Sequence, residues 1–347
     1  MSIFLSRAKY FSAFFIVLLT LFSGAASAFQ KGHGEEAEEA EKSDINISEL
    51  IMHHVLDDHI WHLWDHGGTI YLPIIIYSSE KGLDVFSSHH FYDEHHNVVE
   101  YDGYKLDHGH ITLSATGKSV LDLSITKNVA MLLINAVLLV LVFSSVAKGY
   151  KKNNGKAPKG LQSFLEPVIV FVRDEIVKPN IGHHYEKYMP YMLTLFFFIL
   201  FGNLIGLLPG AGNLTGNIAV TLTLALLTFI ITNAKGNKSY WSHIFWTPGV
   251  PLPLRIFILP VEIVGIFTKP FALTIRLFVA ITAGHIVLLS LICLAFIFHS
   301  LSVGLVSSLI VLFINLIELL VAGIQAYVFT LFSSLYIGMA TAEHEHH

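Results

Sequence analysis

The sequence predicts an α-helical integral membrane protein of about five membrane helices, the last two long and strongly tilted, with an amphipathic surface helix and a small extracytoplasmic N-terminal domain of mixed or β character. Three observations carry this. Of 347 residues, 53% are hydrophobic and only 14% charged, the composition of a chain solvated by lipid. Apolar runs long enough to span a hydrocarbon core recur from residue 129 onward. Lysines gather at alternate ends of those runs, as cytoplasmic loops require.

Residues 1–28 have the parts of a removable secretory signal: a basic start at Arg7 and Lys9, the apolar core FFIVLLTLF, and the small-residue cleavage site Ala26-Ser27-Ala28. An uncleaved first membrane helix is the other reading. Either delivers the next segment to the far side of the membrane. Residues 29–127 are polar and open on the acidic run EEAEEAEKSD, a solvated lead-in. Ser48 is placed to cap a short helix through His62. Three strand-favouring runs come after it, TIYLPIIIYSS, GLDVFSS and HITLSA, punctuated by Gly, Asp and Pro73.

The apolar run 129–146 is the first span, and Lys148, Lys151, Lys152, Lys156 and Lys159 place its end in the cytoplasm. The next segment, LQSFLEPVIVFVRDEIVKPN, mixes apolar and charged positions with helical spacing; it is too polar to span and suits the membrane surface. Residues 191–208 form a second span and 218–232 a third, which returns to Lys235 and Lys238 on the basic side. The loop KGNKSYWSHIFWTPGVPLPL then leads to two apolar tracts, 256–298 and 301–340. Each is about forty residues, where a perpendicular span needs about 20. Each tract is therefore two tight spans or one tilted helix. No polar cluster accompanies Gly265, Pro270, Gly284 or Gly304, which favours two tilted helices joined near 299–303. Residues 128–343 thus make the membrane domain and 344–347 a polar tail. The polarity of the lysines gives a multi-pass protein with its N-terminal domain outside and its C-terminus in the cytoplasm; the location expected of it is a bacterial inner membrane.

A net charge of −5, drawn mostly from the first third, points to no nucleic-acid partner. The single cysteine, Cys293, excludes an intrachain disulfide. No G-x-x-x-x-G-K-[ST] loop is present, so nucleotide chemistry is not expected of this chain, and by itself it is not read as an enzyme. No cofactor is implied.

Within the two long tracts the ionisable groups are Glu262, Lys269, Arg276, His285 and Glu318. A charge at bilayer depth costs about 2.5–3.5 kcal/mol even on insertion scales, so each normally faces protein or a wet cavity. Arg276 is a fixed charge, because a guanidinium pKa above about 12 neither accepts nor releases a transported proton. It suits holding a carboxylate ionised; snorkelling to an interface is the alternative. His285 lies nine residues on, about 13 Å along the axis and roughly on the opposite face, so it is not a direct partner. Glu318 and Gln325, two turns apart, share one face of the last tract. A Glu, a Gln and a His on adjoining helices can relay protons, since His titrates near neutrality and a buried Glu rises toward it. Each alone is equally a hydrogen-bonded packing residue.

RLF with AG eight residues after the arginine, the upstream PVEIVGIFTKP, the earlier GNLIGLLPG and TGNIAVTLTLAL, and the tail IELLVAGIQAYVFTLFSSLYIGMA together resemble subunit a of rotary F-type ATP synthases, over about 129–343. The resemblance implies a stator proton-channel subunit with two half-channels that load and unload the carboxylates of a rotating c-ring. It implies as partners that c-ring, the subunit b peripheral stalk, the remaining F0F1 subunits and membrane lipid. On it, Arg276 faces the ring carboxylate and Gln325 packs near it. His285 and Glu318 stand where many bacterial relatives carry the same two groups in reverse order. Asn203 and Asn217 are candidate channel-lining groups, and Glu262 and Lys269 are supporting residues. A sodium-translocating version of the same subunit is one alternative. A secondary transporter is another, though the chain shows neither internal repeat nor paired broken helices.

The N-terminal region raises a separate question. His53, His54, His59, His62, His89, His90, His95, His96, His108 and His110 offer ligands for Zn or Cu, and His59 and His62 at i, i+3 share one helical face. Solvated histidines explain the same pattern, so no metal site is assigned. The terminal EHEHH reads as a solvated tail.

Overall fold

The computed structural model describes residues 57–342 except 58, 63–67, 79–80, 93–97, 108–109, 115–117, 119, 153–156, 209–210, 247–250 and 298–300. The expected signal segment, the acidic lead-in and the C-terminal tail lie outside the described residues. Contacts divide the chain into an N-terminal unit ending at Lys127, which also takes in 207–211, and a unit formed by the remaining residues.

In the N-terminal unit the strands are short and antiparallel. β1 (Ile60–His62) pairs with β2 (Thr69–Tyr71). β3 (Pro73–Ser78) lies between β4 (Gly82–Ser87) and β7 (Leu121–Asp122). β5 (Tyr104–Asp107) pairs with β6 (His110–Leu113). Strands therefore lie on all three runs read as β-like. Along β3 the pleat sends Ile74, Ile76 and Ser78 inward and Pro73 and Tyr77 outward. Ile74 and Ile76 meet Phe91, Tyr104, Leu106 and Ile111 in a small core. Asp102 (φ 49°) and Gly103 (φ 75°) make the two-residue turn that brings Tyr101 opposite Tyr104, the Asp-Gly pairing that tight hairpins favour. The expected helix through His62 is corrected where it is described. Ile60–His62 is a strand, because its alternating side chains find a partner edge in β2 that local helical spacing cannot reveal.

The second unit is helical. α1 (Lys127–Lys152) exposes Leu133, Val137, Val140 and Leu141 and is tied down by buried Asn135, whose Nδ2 donates to the carbonyl of Phe198 at 2.9 Å. Apolar exposure of this kind is what a lipid-facing helix presents. α2 (Leu161–Phe171) runs through a π-helical turn (Val172–Val177) and α3 (Lys178–Ile181) to a 3₁₀ turn (Gly182–His184) and α4 (Tyr185–Gly206). Within the segment read as a surface helix, Val172, Ile176 and Val177 are fully buried, while Arg173 and Asp174 pair with each other in the open.

α5 (Ile218–Ala234) is the expected third span. Its N-terminus is capped by the side chain of Asn217, which accepts from the amide of Ala219 at 2.9 Å. The loop expected after it contains an eight-residue helix, α6 (Lys238–Phe245), bent 100° from α5. Tyr240, Trp241 and Phe245 stack along α6, so aromatic spacing at i, i+4 overrides the polar, turn-rich composition read as loop.

α7 (Leu252–Ile297) and α8 (Leu301–Thr341) are single uninterrupted helices of 46 and 41 residues. The reading of each tract as one helix holds, with Pro260 and Pro270 absorbed inside α7. Because α8 already begins at Leu301, the junction falls slightly earlier than expected. Among the described residues four helices are long and apolar enough to cross a membrane, or five if α5 and α6 count as one bent span. α8 packs against α4, α5 and α7. At its C-terminal end a Cβ on Gly338 would overlap the carbonyl oxygen of Asn180, so only glycine allows that approach. There Ser334 also donates to the carbonyl of Ile176 at 3.4 Å, in the π turn.

Candidate functional site

Three contacts set α7 against α8. His285 meets Glu318, Arg276 meets Phe332, and Lys269 meets Tyr336. Descending numbers on α7 match ascending numbers on α8, as antiparallel helices joined by a short turn require.

At the first contact, Glu318 is 4% exposed and its Oε1 lies 2.9 Å from Nδ1 of His285. Oε2 is buried with no hydrogen-bond partner among the described residues. Gly284 makes the approach possible, for an added Cβ there would stand 2.6 Å from Oε1. The geometry places an imidazole nitrogen and a carboxylate oxygen within direct hydrogen-bonding range across the two helices.

Arg276 is half-buried, with its guanidinium carbon 4.2 Å from the ring centroid of Phe332. Its Nη1 is buried without a hydrogen-bond partner, and among the described residues no carboxylate pairs with it. On an ideal helix Arg276 and His285 face opposite sides, yet both side chains end on α8. The two contacts also differ in height along the helices. From His285 to Arg276 is about 13 Å along α7, whereas from Glu318 to Phe332 is about 21 Å along α8. The guanidinium covers the difference by leaning toward the N-terminal end of α7, the direction helical side chains take.

Lys269, two turns before Arg276, lies 5.4 Å from the ring centroid of Tyr336. Glu262, two further turns back, is half-buried and makes no ion pair among the described residues. Beside Lys269 is a cavity of about 10 Å³, lined by Thr228, Thr232, Asn233, Tyr240, Lys269 and Tyr336 together with apolar neighbours. That is close to the roughly 10–15 Å³ one water needs. The hydroxyl of Thr232 is buried there without a hydrogen-bond partner among the described residues. From Thr228 a file of hydroxyls continues, to Tyr191 at 2.8 Å and Ser333 at 3.3 Å.

The remaining expected residues are not gathered at one point. Asn203 is buried; it accepts from Thr215 at 2.7 Å and donates to the carbonyl of Ala322 at 3.3 Å, one turn beyond Glu318. Asn217 is occupied as the α5 cap. Gln325 is half-buried on α8. Sequence reasoning missed Phe332 and Tyr336. Their only signal was aromatic character at i, i+4, which a packing face also produces.

In the N-terminal unit, buried His59 holds Asp122 with Nε2 to Oδ2 at 3.2 Å. Burial by itself raises the Asp122 carboxyl, but hydrogen bonds from His59 and Ser124 outweigh it and bring it down to about 2. His89 and His90 are exposed and stack edge-on against Tyr71 and Tyr101. Among the described residues no three His, Cys, Asp or Glu side chains converge on a metal position. His53, His54, His95, His96 and His108 lie outside the described residues, as do the side chains of His62 and His110.

Long apolar helices around a fixed intramembrane cation, with no anionic partner among the described residues, and a buried imidazole–carboxylate pair define a polytopic, ion-handling membrane protein. The family model for the ATP synthase A chain matches residues 129–338, and the chain belongs to that family. A second model, a domain of unknown function (DUF8433), matches residues 50–131. The chain is 41% identical over 324 residues to "ATP synthase subunit a 2" of Chlorobaculum tepidum, covering 91% of this chain and 80% of the relative. It is 45% identical over 263 residues to "ATP synthase subunit a" of Chloroherpeton thalassium, covering 73% and 78%. With "ATP synthase subunit a 2" of Prosthecochloris aestuarii it shares 38% over 356 residues, covering 98% and 96%.

Proposed function

We propose that this chain is the stator subunit through which an F-type ATP synthase passes protons to and from its rotor, with Arg276 facing the carboxylates of a rotating c-ring. Membership of the ATP synthase A chain family supports the reading. The observation that carries the role of Arg276 is its guanidinium, set within a long apolar helix, resting on an aromatic ring and left without an anionic partner among the described residues. A fixed cation so placed is costly unless an anion visits it.

A proton arriving from the outer face reaches the His285–Glu318 pair, which passes it to a ring carboxylate. The neutral acid tolerates lipid and the ring turns. When that acid approaches Arg276 from the other side, the positive field favours its ionised form, lowering such a pKa by about 1–3 units. The proton then leaves toward the cytoplasm, on the side where the small cavity beside Lys269 has Thr228, Thr232, Asn233 and Tyr240 among its mostly apolar lining. Between the two routes stands Arg276, and a proton passing directly would meet its charge. An imidazole–carboxylate pair suits a proton better than a sodium ion as cargo.

Orientation and tilt are part of the proposal. Asn237, between Lys235 and Lys238, donates to the carbonyl of Thr341 at 2.9 Å, so the end of α8 lies with the basic loop that the lysine rule assigns to the cytoplasm. α7 is about 69 Å long at 1.5 Å per residue; keeping it within a hydrocarbon core of about 30 Å requires a tilt of roughly 60°. The N-terminal unit is then extracytoplasmic. Subunit b and the other F0F1 subunits complete the assembly.

Arg276→Ala tests the reading. The complex should assemble, yet inverted vesicles should neither make ATP from a proton gradient nor pump protons on ATP hydrolysis. Normal ATP-driven pumping by that variant would refute the assignment.

A further inference from the structure

Two cation–ring contacts join α7 to α8. Arg276 and Lys269, two turns apart on α7, each rest on an aromatic ring of α8, and those rings, Phe332 and Tyr336, are i, i+4 neighbours with centroids 6.1 Å apart. The four side chains form a rail across the helix pair, cation on ring at both rungs. At the lower rung Lys269 lies 5.4 Å from the centroid of Tyr336. The upper rung does something further.

We infer that Phe332 is a positioning residue for Arg276: its ring face holds the guanidinium in one direction and leaves its charge uncompensated. This inference rests on the proposed role of Arg276. A flexible arginine within an apolar helix has two easy ways of lowering its energy. It snorkels toward an interface, or it pairs with an acid. Either would remove the charge from the path of a visiting carboxylate. A ring face is a third option. The quadrupole attracts a cation, with about 0.5–2 kcal/mol depending on desolvation, but offers no lone pair that neutralises it and no site that binds a proton. Phe332 is half-buried and has no polar atom, so it contributes to the guanidinium only a surface to lie on. The lean of Arg276 along α7 is the consequence, since the ring sits about one and a half turns nearer the N-terminal end of α7 than the position level with the arginine backbone. Among the described residues Nη1 has no hydrogen-bond partner, so the guanidinium is held with a donor still unused.

The experiment uses the assembled ATP synthase in vesicles, with the amount of complex measured for every variant. Phe332→Leu removes the ring and keeps apolar bulk. ATP synthesis should fall roughly two- to thirty-fold, the range the cation–ring attraction corresponds to, and passive proton leak through the F1-stripped membrane sector should rise. Phe332→Tyr, which keeps the ring, should restore both to near the parent values. Replacing Phe332 by its trifluoro and pentafluoro analogues keeps the shape while draining and then inverting the quadrupole. Activity should decline in step with fluorination, a trend that a packing role would not produce, and this series decides the matter if the Leu variant assembles poorly. Full activity throughout the fluorinated series overturns the inference. Arg276→Ala in the same vesicles separates the two levels. If it pumps normally, the parent reading fails; if it is uncoupled while the ring variants are unaffected, only the positioning role falls.

Discussion

Gly284→Ala separates stability from proton transfer more sharply than removing either member of the His285–Glu318 pair. A Cβ at 284 would stand 2.6 Å from Oε1 of Glu318, 3.0 Å from its Cγ and 3.2 Å from its Cδ. Ordinary contact needs about 3.5 Å, so the carboxylate must retreat by roughly 1 Å. The 2.9 Å link to His285 then stretches past hydrogen-bonding range. Losing a hydrogen bond to a charged group costs about 1.5–3 kcal/mol. Alanine in place of glycine inside a helix returns about 0.8–1.0 kcal/mol. The net loss is about 1–2 kcal/mol, small for so large a helical unit, so the complex should accumulate normally. Proton delivery, which depends on the pair remaining in contact, should fall roughly ten-fold, the factor that 1.4 kcal/mol represents. The assay is passive proton flux through the F1-stripped membrane sector in vesicles under an imposed potential. Gly265→Ala is the control, being on the same helix with nothing within 4 Å of its added Cβ. Undiminished flux in Gly284→Ala at normal complex levels, or an equal loss in Gly265→Ala, would refute the reasoning.

His285→Ala and Glu318→Ala should each slow proton flux, and the double variant should lose much less than the product of the two, since both remove the same link; strictly multiplicative losses in the flux assay would count against one shared pair. In the N-terminal unit the folded pKa of Asp122, about 2, lies below its ordinary value near 3.8. The ionised form thus adds about 2 kcal/mol that is complete above about pH 5, is roughly half lost by pH 3 and vanishes below pH 2. Protease resistance of that unit in the intact chain should weaken over this window, and Asp122→Asn should be weaker at neutral pH while converging with the parent under acid; an unchanged pH profile in the variant would show that the His59 link is not the cause.

The positions of the long helices were legible because a bilayer demands about 20 apolar residues per span. The scarcity of charge in the last two tracts likewise singled out Glu262, Lys269, Arg276, His285 and Glu318 before any fold was known. Asn203 and Asn217 show the limit of that method. Both were read as channel lining, and the hydrogen bonds they make, Asn203 joining a loop hydroxyl to α8 and Asn217 capping α5, are ones that position along the chain does not reveal. Short-range spacing also misassigned Ile60–His62, whose strand depends on β2, and it passed over α6, whose stability comes from stacked aromatics.

Composition, spacing and the chemistry of arginine by themselves determined that this is a lipid-solvated helical protein in which Arg276, a charge that cannot be discharged, sits well inside an apolar tract. Only the tertiary structure decided what that charge rests on and which groups share a proton. Glu318 finds His285 across 33 residues, and Arg276 finds Phe332 across 56. Those pairings are set by the register of two antiparallel helices and by the room a glycine leaves between them. Register is a property of the packed pair, which neither helix encodes alone.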